Sequence, residues 1–326
     1  MFVYLVRRIV NYVILTVIAS CLAYVLASLS LNPTAKYLGR NPPVDPHSLQ
    51  NILNKFGVNP DVPLIERLWH WFSGVLHGDF GLAINSEPIS RVIWERAGIS
   101  LQLLLIGSII GAVLGVVLGV WGAVRQYKAS DSIVTYLSYI VFSTPTFVIA
   151  IFLMIAATAL NRAIGHQLIT FTGQYSAGIS GGFFTQFGDR AAHLLLPTIV
   201  LVLTSAASYS RYQRNVMLDV LGADYIRTAR AKGRTRGAAL IRHGVRVALI
   251  PMSTFFAYSF GTLVAGASML EIVFSWHGMG ELLLTSINTS DINAVAGSTL
   301  FTAVLILCSS TLSEVLYAAL DPRVRS

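Results

Sequence analysis

The stretch Ile99–Val124, ISLQLLLIGSIIGAVLGVVLGVWGAV, contains 26 residues and no charged side chain. A helix rises about 1.5 Å per residue and the hydrocarbon core of a bilayer is about 30 Å thick, so about 20 apolar residues can cross it. This stretch therefore predicts a transmembrane helix. Glycines recur along it every four residues, which places them on one face and predicts close packing against another helix. They are Gly107, Gly111, Gly115 and Gly119.

Five further stretches are apolar over a comparable length. They are Ile9–Leu31, Ser132–Leu160, His193–Tyr209, Val247–Leu270 and Ala294–Tyr317. The chain of 326 residues is 54% hydrophobic and 12% charged, with a mean hydropathy of +0.66. Soluble domains carry about 25% charged residues, so these values argue against a soluble enzyme and exclude a disordered chain. The predicted fold class is an all-α polytopic membrane protein with six transmembrane helices.

The distribution of basic residues predicts the orientation of these helices. With a cytoplasmic N-terminus, the inner segments hold 15 Lys and Arg in 60 residues, whereas the outer segments hold 8 in 119. The inner segments are 1–8, 125–131, 210–246 and 319–326, and the outer ones are 32–98, 161–192 and 274–293. Positive charge accumulates on the cytoplasmic side, so both termini are expected there. The net charge of +8 is then mostly an orientation signal, and a nucleic-acid partner is not expected.

The N-terminus has two readings. Arg7-Arg8, an apolar run and the sequence Ile18-Ala19-Ser20-Cys21 resemble a lipoprotein signal that ends at a lipidated cysteine. The apolar run, however, continues to Leu31, whereas cleaved signals have a shorter apolar core. We therefore expect that the N-terminus is not cleaved and that residues 1–31 comprise the N-terminus and the first transmembrane helix.

The segment 32–98 is too long for a simple connection and predicts a small helical extracytoplasmic domain. Asp45-Pro46 is a typical helix start, and Gly57 can end that helix. A second helix is predicted from an apolar stripe opposite Glu66, Arg67 and His70. The stripe comprises Leu64, Ile65, Leu68, Trp69, Phe72, Val75 and Leu76. The segment could anchor the chain at the membrane interface or dock a soluble partner, and both readings stay open.

The common motifs for nucleotide and metal chemistry are missing from the sequence. No Lys is followed by Ser or Thr, which excludes a P-loop, and the sequence has no CxxC or HExxH. We therefore expect neither catalysis nor a bound cofactor or metal in this chain.

Three residues in or next to the predicted helices are candidates for gating or structural roles. Pro145 follows Ser143 and Thr144 in the third helix, where a kink is expected and the hydroxyls can satisfy freed carbonyls. Glu271 is expected at a mouth at the outer end of the fifth helix. Glu314 lies within the sixth, where a carboxylate is costly, although nearby hydroxyls also allow a structural hydrogen bond.

The loop 210–246 is the most basic part of the chain. It predicts a short helix, Tyr225–Lys232, with Asp224 as its N-cap and Gly233 as its stop. Thr228, Ala229 and Ala231 are small, so this helix could lie close to another surface. A basic loop that follows the membrane surface is the competing reading.

The run Asp224–Gly233, DYIRTARAKG, resembles the EAA loop of bacterial ABC importer permeases, in the form found in the oligopeptide, dipeptide and nickel family. The family's E-A-A-x-x-x-G pattern falls on Arg227-Thr228-Ala229 and Gly233, so the alanine and glycine are kept. Further resemblances follow in order along almost the whole chain. They are Tyr4–Arg8, Gly78–Gly81 with Pro88 and Arg96, His193–Pro197, Arg211–Arg214, Glu271–Asp291 and Asp321–Arg323.

The resemblance implies a type I ABC importer permease fold in a bacterial plasma membrane. It implies a heterodimer with a second, homologous permease chain, two ATP-binding subunits that bind ATP and magnesium, and an extracytoplasmic solute-binding protein that delivers a peptide. The short helix in the loop 210–246 would couple to an ATPase subunit. The implied coupling residues are Asp224, Tyr225, Arg227, Thr228, Ala229 and Gly233.

The expected organisation is a first helix at 1–31, the extracytoplasmic segment 32–98, a permease core at 99–320 and a cytoplasmic tail at 321–326. Two other functions remain as alternatives. One is a stand-alone proton-coupled carrier, although few acidic residues lie in the predicted helices. The other is a membrane scaffold without transport activity.

Overall fold

The computed structural model describes residues 2–37 and 44–320, which are mainly helical. The predicted tail 321–326 lies outside the described residues. The helices, in order, are α1 (Phe2–Ser30), α2 (Pro46–Phe56), α3 (Leu64–Leu76), α4 (Ile89–Val124), α5 (Ala129–Ser143), α6 (Thr146–Ile164), α7 (Phe183–Leu221), α8 (Asp224–Ala231), α9 (Arg236–Ala239), a π-helical segment (Leu240–Val245), α10 (Arg246–Gly266), α11 (Ser268–Val273), α12 (Met279–Asn288) and α13 (Ile292–Leu320).

Five helices in the described part of the chain are long and apolar enough to cross a membrane. They are Val6–Ser30, Ile89–Val124, Thr146–Ile164, Phe183–Leu221 and Ile292–Tyr317. The predicted fifth stretch forms α10 and α11 but is not among them. The structure therefore confirms an all-helical membrane protein and gives five candidate spans where the sequence predicted six.

The predicted third helix is broken rather than kinked. Helix α5 ends at Ser143, Thr144 is extended, and Pro145 is the N-cap of α6, so the prediction of one kinked helix is wrong. A proline disfavours the helical conformation of the residue before it, and this effect on Thr144 explains a full break at this position. The hydroxyls of Ser143 and Thr144 both donate to the carbonyl oxygen of Ile140, at 3.1 and 2.8 Å. The predicted satisfaction of a freed carbonyl is thus confirmed.

The predicted glycine face of α4 packs directly against α7. A Cβ built on Gly107, Gly111 or Gly115 would come within 2.6 Å of the Cβ of Leu201, Ser205 or Tyr209, respectively. Any larger residue would therefore push the two helices apart. We call this contact the glycine seam. Helix α7 has 39 residues and extends well beyond the predicted His193–Tyr209, so the first part of the predicted loop 210–246 is helical.

The chain divides into two compact units. Unit 1 contains Met1–Ser100, Val264–Glu271 and His277–Ser309, and unit 2 contains Leu101–Leu263, Ile272–Trp276 and Ser310–Ser326. The glycine seam and the loop that carries α8 both lie within unit 2. Helices α1, α2, α3 and the start of α13 pack together within unit 1.

The two predicted helices of segment 32–98 are present. Asp45 caps α2 by accepting a hydrogen bond from the Ser48 N–H, and Gly57 ends it in the left-handed conformation. Four residues of the predicted apolar stripe of α3 pack against the core of unit 1, namely Leu64, Leu68, Phe72 and Val75, whereas Ile65, Trp69 and Leu76 are exposed. Trp71, which lies outside the predicted stripe, is buried and stacks on Tyr24 at a ring distance of 5.0 Å.

Candidate functional site

The short helix predicted between the fourth and fifth apolar stretches is α8. The chain leaves α7 at Gly222, and Ala223 in an extended conformation is the N-cap of α8. Asp224 is the first helical residue and its side chain makes no capping bond, so its predicted role as N-cap is wrong. Asp224 instead lies 3.7 Å from Arg227, with both side chains strongly exposed. Such an exposed pair contributes little to stability.

The predicted end of α8 is confirmed. Gly233 has a φ of +85°, a left-handed conformation that favours glycine. Its N–H donates to the Arg230 carbonyl at 2.9 Å, and the N–H of Arg234 donates to the Ala229 carbonyl at 3.3 Å. This pair of bonds is a Schellman motif, which satisfies the last carbonyls of the helix and turns the chain away from it.

One side of α8 is anchored in the protein. Ile226 is only 3% exposed and belongs to a cluster with Met217 and Val220 of α7. The cluster also contains Ala123 of α4, Ala239, Leu240 and Ala248, and Ala229 packs against it. Ala229 is therefore half-buried on the inner side of α8, and its role in coupling stays a prediction.

The other side of α8 is exposed and positively charged. Tyr225, Arg227, Thr228 and Arg230 are exposed, and Lys232 and Arg234 follow directly. The Thr228 hydroxyl donates to the Asp224 carbonyl, so towards a partner it presents its methyl group and an oxygen that can only accept. A rigid eight-residue helix with a cationic outer surface can insert into a groove that has acidic or aromatic side chains.

An ion pair that the sequence analysis missed lies near this loop. Asp131, in the first turn of α5, accepts two hydrogen bonds of 2.7 Å from Arg214 of α7. Asp131 is 3% exposed, and the bond from the guanidinium holds its pKa below the ordinary value. The sequence pattern does not indicate this pair, because Asp131 and Arg214 lie 83 residues apart.

Glu271 is fully buried within unit 1. This differs from the expectation that it lies at an open mouth. Its carboxylate accepts hydrogen bonds from the Ser100 hydroxyl and from the N–H groups of Gly280 and Glu281. These N–H groups belong to the first turn of α12, where a negative charge is favourable. Glu271 therefore caps α12 from a distance. Gly278 and Gly280 allow this contact, because a Cβ on either would clash with Glu271, Ser100 or Ser268.

The remaining predicted candidates do not meet at one site. Pro145 is exposed at the break between α5 and α6, and Glu314 is half-buried in α13. Across residues 2–37 and 44–320, no group of three or more His, Cys, Asp or Glu could hold a metal ion.

The chain combines long apolar helices with α8, a short cationic helix that is anchored on one side, and its sequence has no P-loop. This combination is typical of the membrane subunit of a multi-subunit transporter. Comparison with known proteins identifies the family. Residues 115–326 match the family described as binding-protein-dependent transport system inner membrane component, and the chain belongs to this family. It is therefore a non-catalytic, multi-pass permease subunit of the inner membrane.

Similar proteins cover nearly the whole chain. It is 48% identical over 322 residues to the oligopeptide transport system permease protein OppB of Mycobacterium tuberculosis, covering 99% of this chain and 98% of that protein. It is 32% identical to the dipeptide permease protein DppB of Escherichia coli, over 86% of each chain. It is 31% identical to the oligopeptide permease protein AppB of Bacillus subtilis, over 87% of each chain. These relatives favour a permease subunit over the stand-alone carrier and the scaffold.

Proposed function

We propose that this chain is the permease subunit of an ATP-driven importer of oligopeptides, in which α8 docks into an ATP-hydrolysing subunit. Two similar proteins named as oligopeptide permeases and one named as a dipeptide permease support the substrate class. The observation that carries the coupling role is the two-sided structure of α8. Its inner side is fixed to α7 by Ile226, and its outer side is free to contact another molecule.

The proposed topology has six transmembrane helices and both termini in the cytoplasm. In this arrangement α10 is the fifth transmembrane helix, and segment 32–98 with α2 and α3 lies outside. The loop 210–246 is then cytoplasmic, where partner ATPases have access to ATP. The excess of Lys and Arg in the proposed inner segments supports this orientation.

The proposed complex contains a second, homologous permease chain, two ATP-binding subunits and an external solute-binding protein. Each ATPase would receive a short helix from one permease chain in a surface groove. Closure of the ATPase pair around ATP would move α8 as a rigid body, and the bundle would change between inward-open and outward-open states. ATP and magnesium would be bound by those partners, and this chain would form half of the peptide path.

Site-directed cross-linking tests the position of α8. In a chain with Cys21→Ala and Cys308→Ala, Tyr225→Cys should react with a membrane-impermeant maleimide only when the cytoplasmic side is accessible, and should cross-link to an ATPase subunit. Ile65→Cys on α3 is the matched control, because its side chain is also exposed and it lies in the segment proposed to be external. It should react from the outside and form no ATPase cross-link. Labelling of Tyr225→Cys from the outside, or its failure to cross-link in an active complex, would overturn the proposal.

Reconstitution tests the substrate. Proteoliposomes that contain this chain and its partner subunits should accumulate a labelled oligopeptide when ATP is enclosed on the ATPase side. Accumulation that persists without ATP and collapses with the proton gradient would instead identify a proton-coupled carrier.

A further inference from the structure

The contact between α5 and α7 in unit 2 depends on two arginines, one turn apart on α7. Arg214 binds both carboxylate oxygens of Asp131 at 2.7 Å. The guanidinium of Arg211 lies over the rings of Tyr139 and Phe142, at 4.4 and 4.2 Å from their centroids. A two-point ion pair fixes both distance and direction, whereas a stacked ring fixes only distance. The Asp131–Arg214 pair is therefore the most directional link that joins these two helices.

This pair is enclosed by a third helix. A Cβ on Gly122 of α4 would lie 3.0 Å from a carboxylate oxygen of Asp131 and 3.9 Å from the Nε of Arg214. Helices α4, α5 and α7 thus meet around one carboxylate. Asp131 also lies within 3.5 Å of the Thr135 hydroxyl, which is one turn further along α5. The carboxylate has little room to take another position while the helices stay in contact.

The same part of α7 carries the anchor of α8. Met217 and Val220 follow Arg214 by one and two turns, and both contact the cluster that buries Ile226. A displacement of α8 is therefore delivered to the last turns of α7, within about two turns of the ion pair. Helix α5 continues from Asp131 to the break at Pro145 and so to α6, one of the candidate spans.

We propose that Asp131 and Arg214 are positioning residues that transmit the movement of α8 from α7 to α5. This inference rests on the proposed coupling function of α8. The pair holds α5 in register with the end of α7, so that a push on the short helix moves α5 as well as α7. Without the pair, α7 moves without α5 and the energy of ATP hydrolysis is not used for transport.

The test compares uptake with ATP hydrolysis in the reconstituted complex. Asp131→Asn, Arg214→Gln and the double variant should insert and assemble with the ATPases, and should hydrolyse ATP at a rate similar to the unmodified complex. Peptide uptake per ATP hydrolysed should fall at least tenfold in each. Because the two residues act through one contact, the double variant should lose no more than either single variant.

Two further variants keep the test decisive. Asp189→Asn removes another carboxylate of α7, which binds Ser176 far from α8, and should leave the uptake ratio unchanged. Arg214→Lys retains the charge without the two-point contact, and serves where Asp131→Asn does not accumulate in the membrane. It should also lower the ratio.

In variants that accumulate in the membrane, an unchanged ratio would overturn the inference, and so would a parallel loss of ATP hydrolysis and uptake. Failure of the proposed function is distinguishable, because the unmodified complex would then show no ATP-driven peptide uptake.

Discussion

Tyr209 of α7 lies directly against Gly115 of α4, and a Cβ added to Gly115 would be 2.5 Å from the Cβ of Tyr209. The Ala206 carbonyl and the Ser210 nitrogen are also within about 3 Å of that position, so the backbone itself blocks any side chain. We expect Gly115→Ala to destabilise the protein by about 1–3 kcal/mol, since a packed interface must open to accept the methyl group.

Thermal unfolding of the purified protein in detergent measures this effect. Gly98→Ala is the matched control, because it lies in the same helix and its added Cβ would meet no atom within 4 Å. The control should be neutral, or stabilising by up to about 1 kcal/mol through helix propensity. Equal shifts of the two variants would contradict the close contact.

A second prediction concerns Glu271. Glu271→Gln replaces a carboxylate that accepts three hydrogen bonds by a group with one acceptor oxygen, so an amide N–H₂ would have to face Ser100 or the N–H groups of Gly280 and Glu281. We expect a loss of about 1–3 kcal/mol, the usual penalty for an unsatisfied buried group. Glu66→Gln, at an exposed carboxylate, should change stability by less than about 0.5 kcal/mol. A melting temperature of Glu271→Gln equal to that of the control would refute the buried cap.

The end of α8 gives a third prediction. Gly233→Glu should abolish peptide uptake and uncouple ATP hydrolysis while membrane insertion stays normal. The left-handed backbone at φ +85° costs a side chain about 1–2 kcal/mol and would distort the end of the helix. Gly237→Glu adds the same charge in the same loop, where no left-handed conformation or close atom opposes it.

Uptake and ATP hydrolysis in proteoliposomes separate the two effects. Normal uptake with Gly233→Glu would count against the coupling role of α8. Equal loss in both variants would show that charge, and not the helix end, is responsible.

The Asp131–Arg214 pair gives a prediction about pH. The guanidinium lowers the pKa of Asp131 from its ordinary value of 3.8, so the pair stabilises the fold above that pH and loses this contribution as the pH falls through the lower, folded-state pKa. Asp131→Asn should therefore destabilise by about 1.5–3 kcal/mol, constant between about pH 5 and about pH 8. The difference should shrink only below about pH 4. The free energy of unfolding of both proteins, measured by denaturation at several pH values between about pH 3 and about pH 8, checks this prediction. A difference that disappears near neutral pH would contradict an ionised Asp131.

Features fixed by neighbouring residues were predictable from the sequence. The Asp45 cap, the Gly57 and Gly233 ends and the glycine face of α4 depend on spacings of a few residues, and each was confirmed. The N-cap of α8 was predicted one residue too late, because the extended conformation of Ala223 is set by how the chain leaves α7. In the sequence, Asp224 looks like an N-cap whether or not its side chain accepts a hydrogen bond from a backbone N–H of α8.

Features that join distant parts of the chain were not predictable. The burial of Glu271 depends on Ser100, 171 residues away, and the Asp131–Arg214 pair spans 83 residues. Both acidic residues lie at the edge of an apolar stretch, where the sequence pattern cannot distinguish a solvated charge from a paired one. The break at Pro145 has a local cause, because a proline disfavours the helical conformation of the residue before it, and the sequence analysis underestimated this effect.

The glycine seam also limits how the bundle can deform. Packed helices can slide past one another when the side chains between them change rotamer. At the glycine seam the glycines contribute no side chains that could change rotamer, so we expect α4 and α7 to move together as one rigid unit. In the proposed transport cycle, a change of shape within unit 2 would then need a hinge outside α4 and α7, and the break between α5 and α6 supplies one.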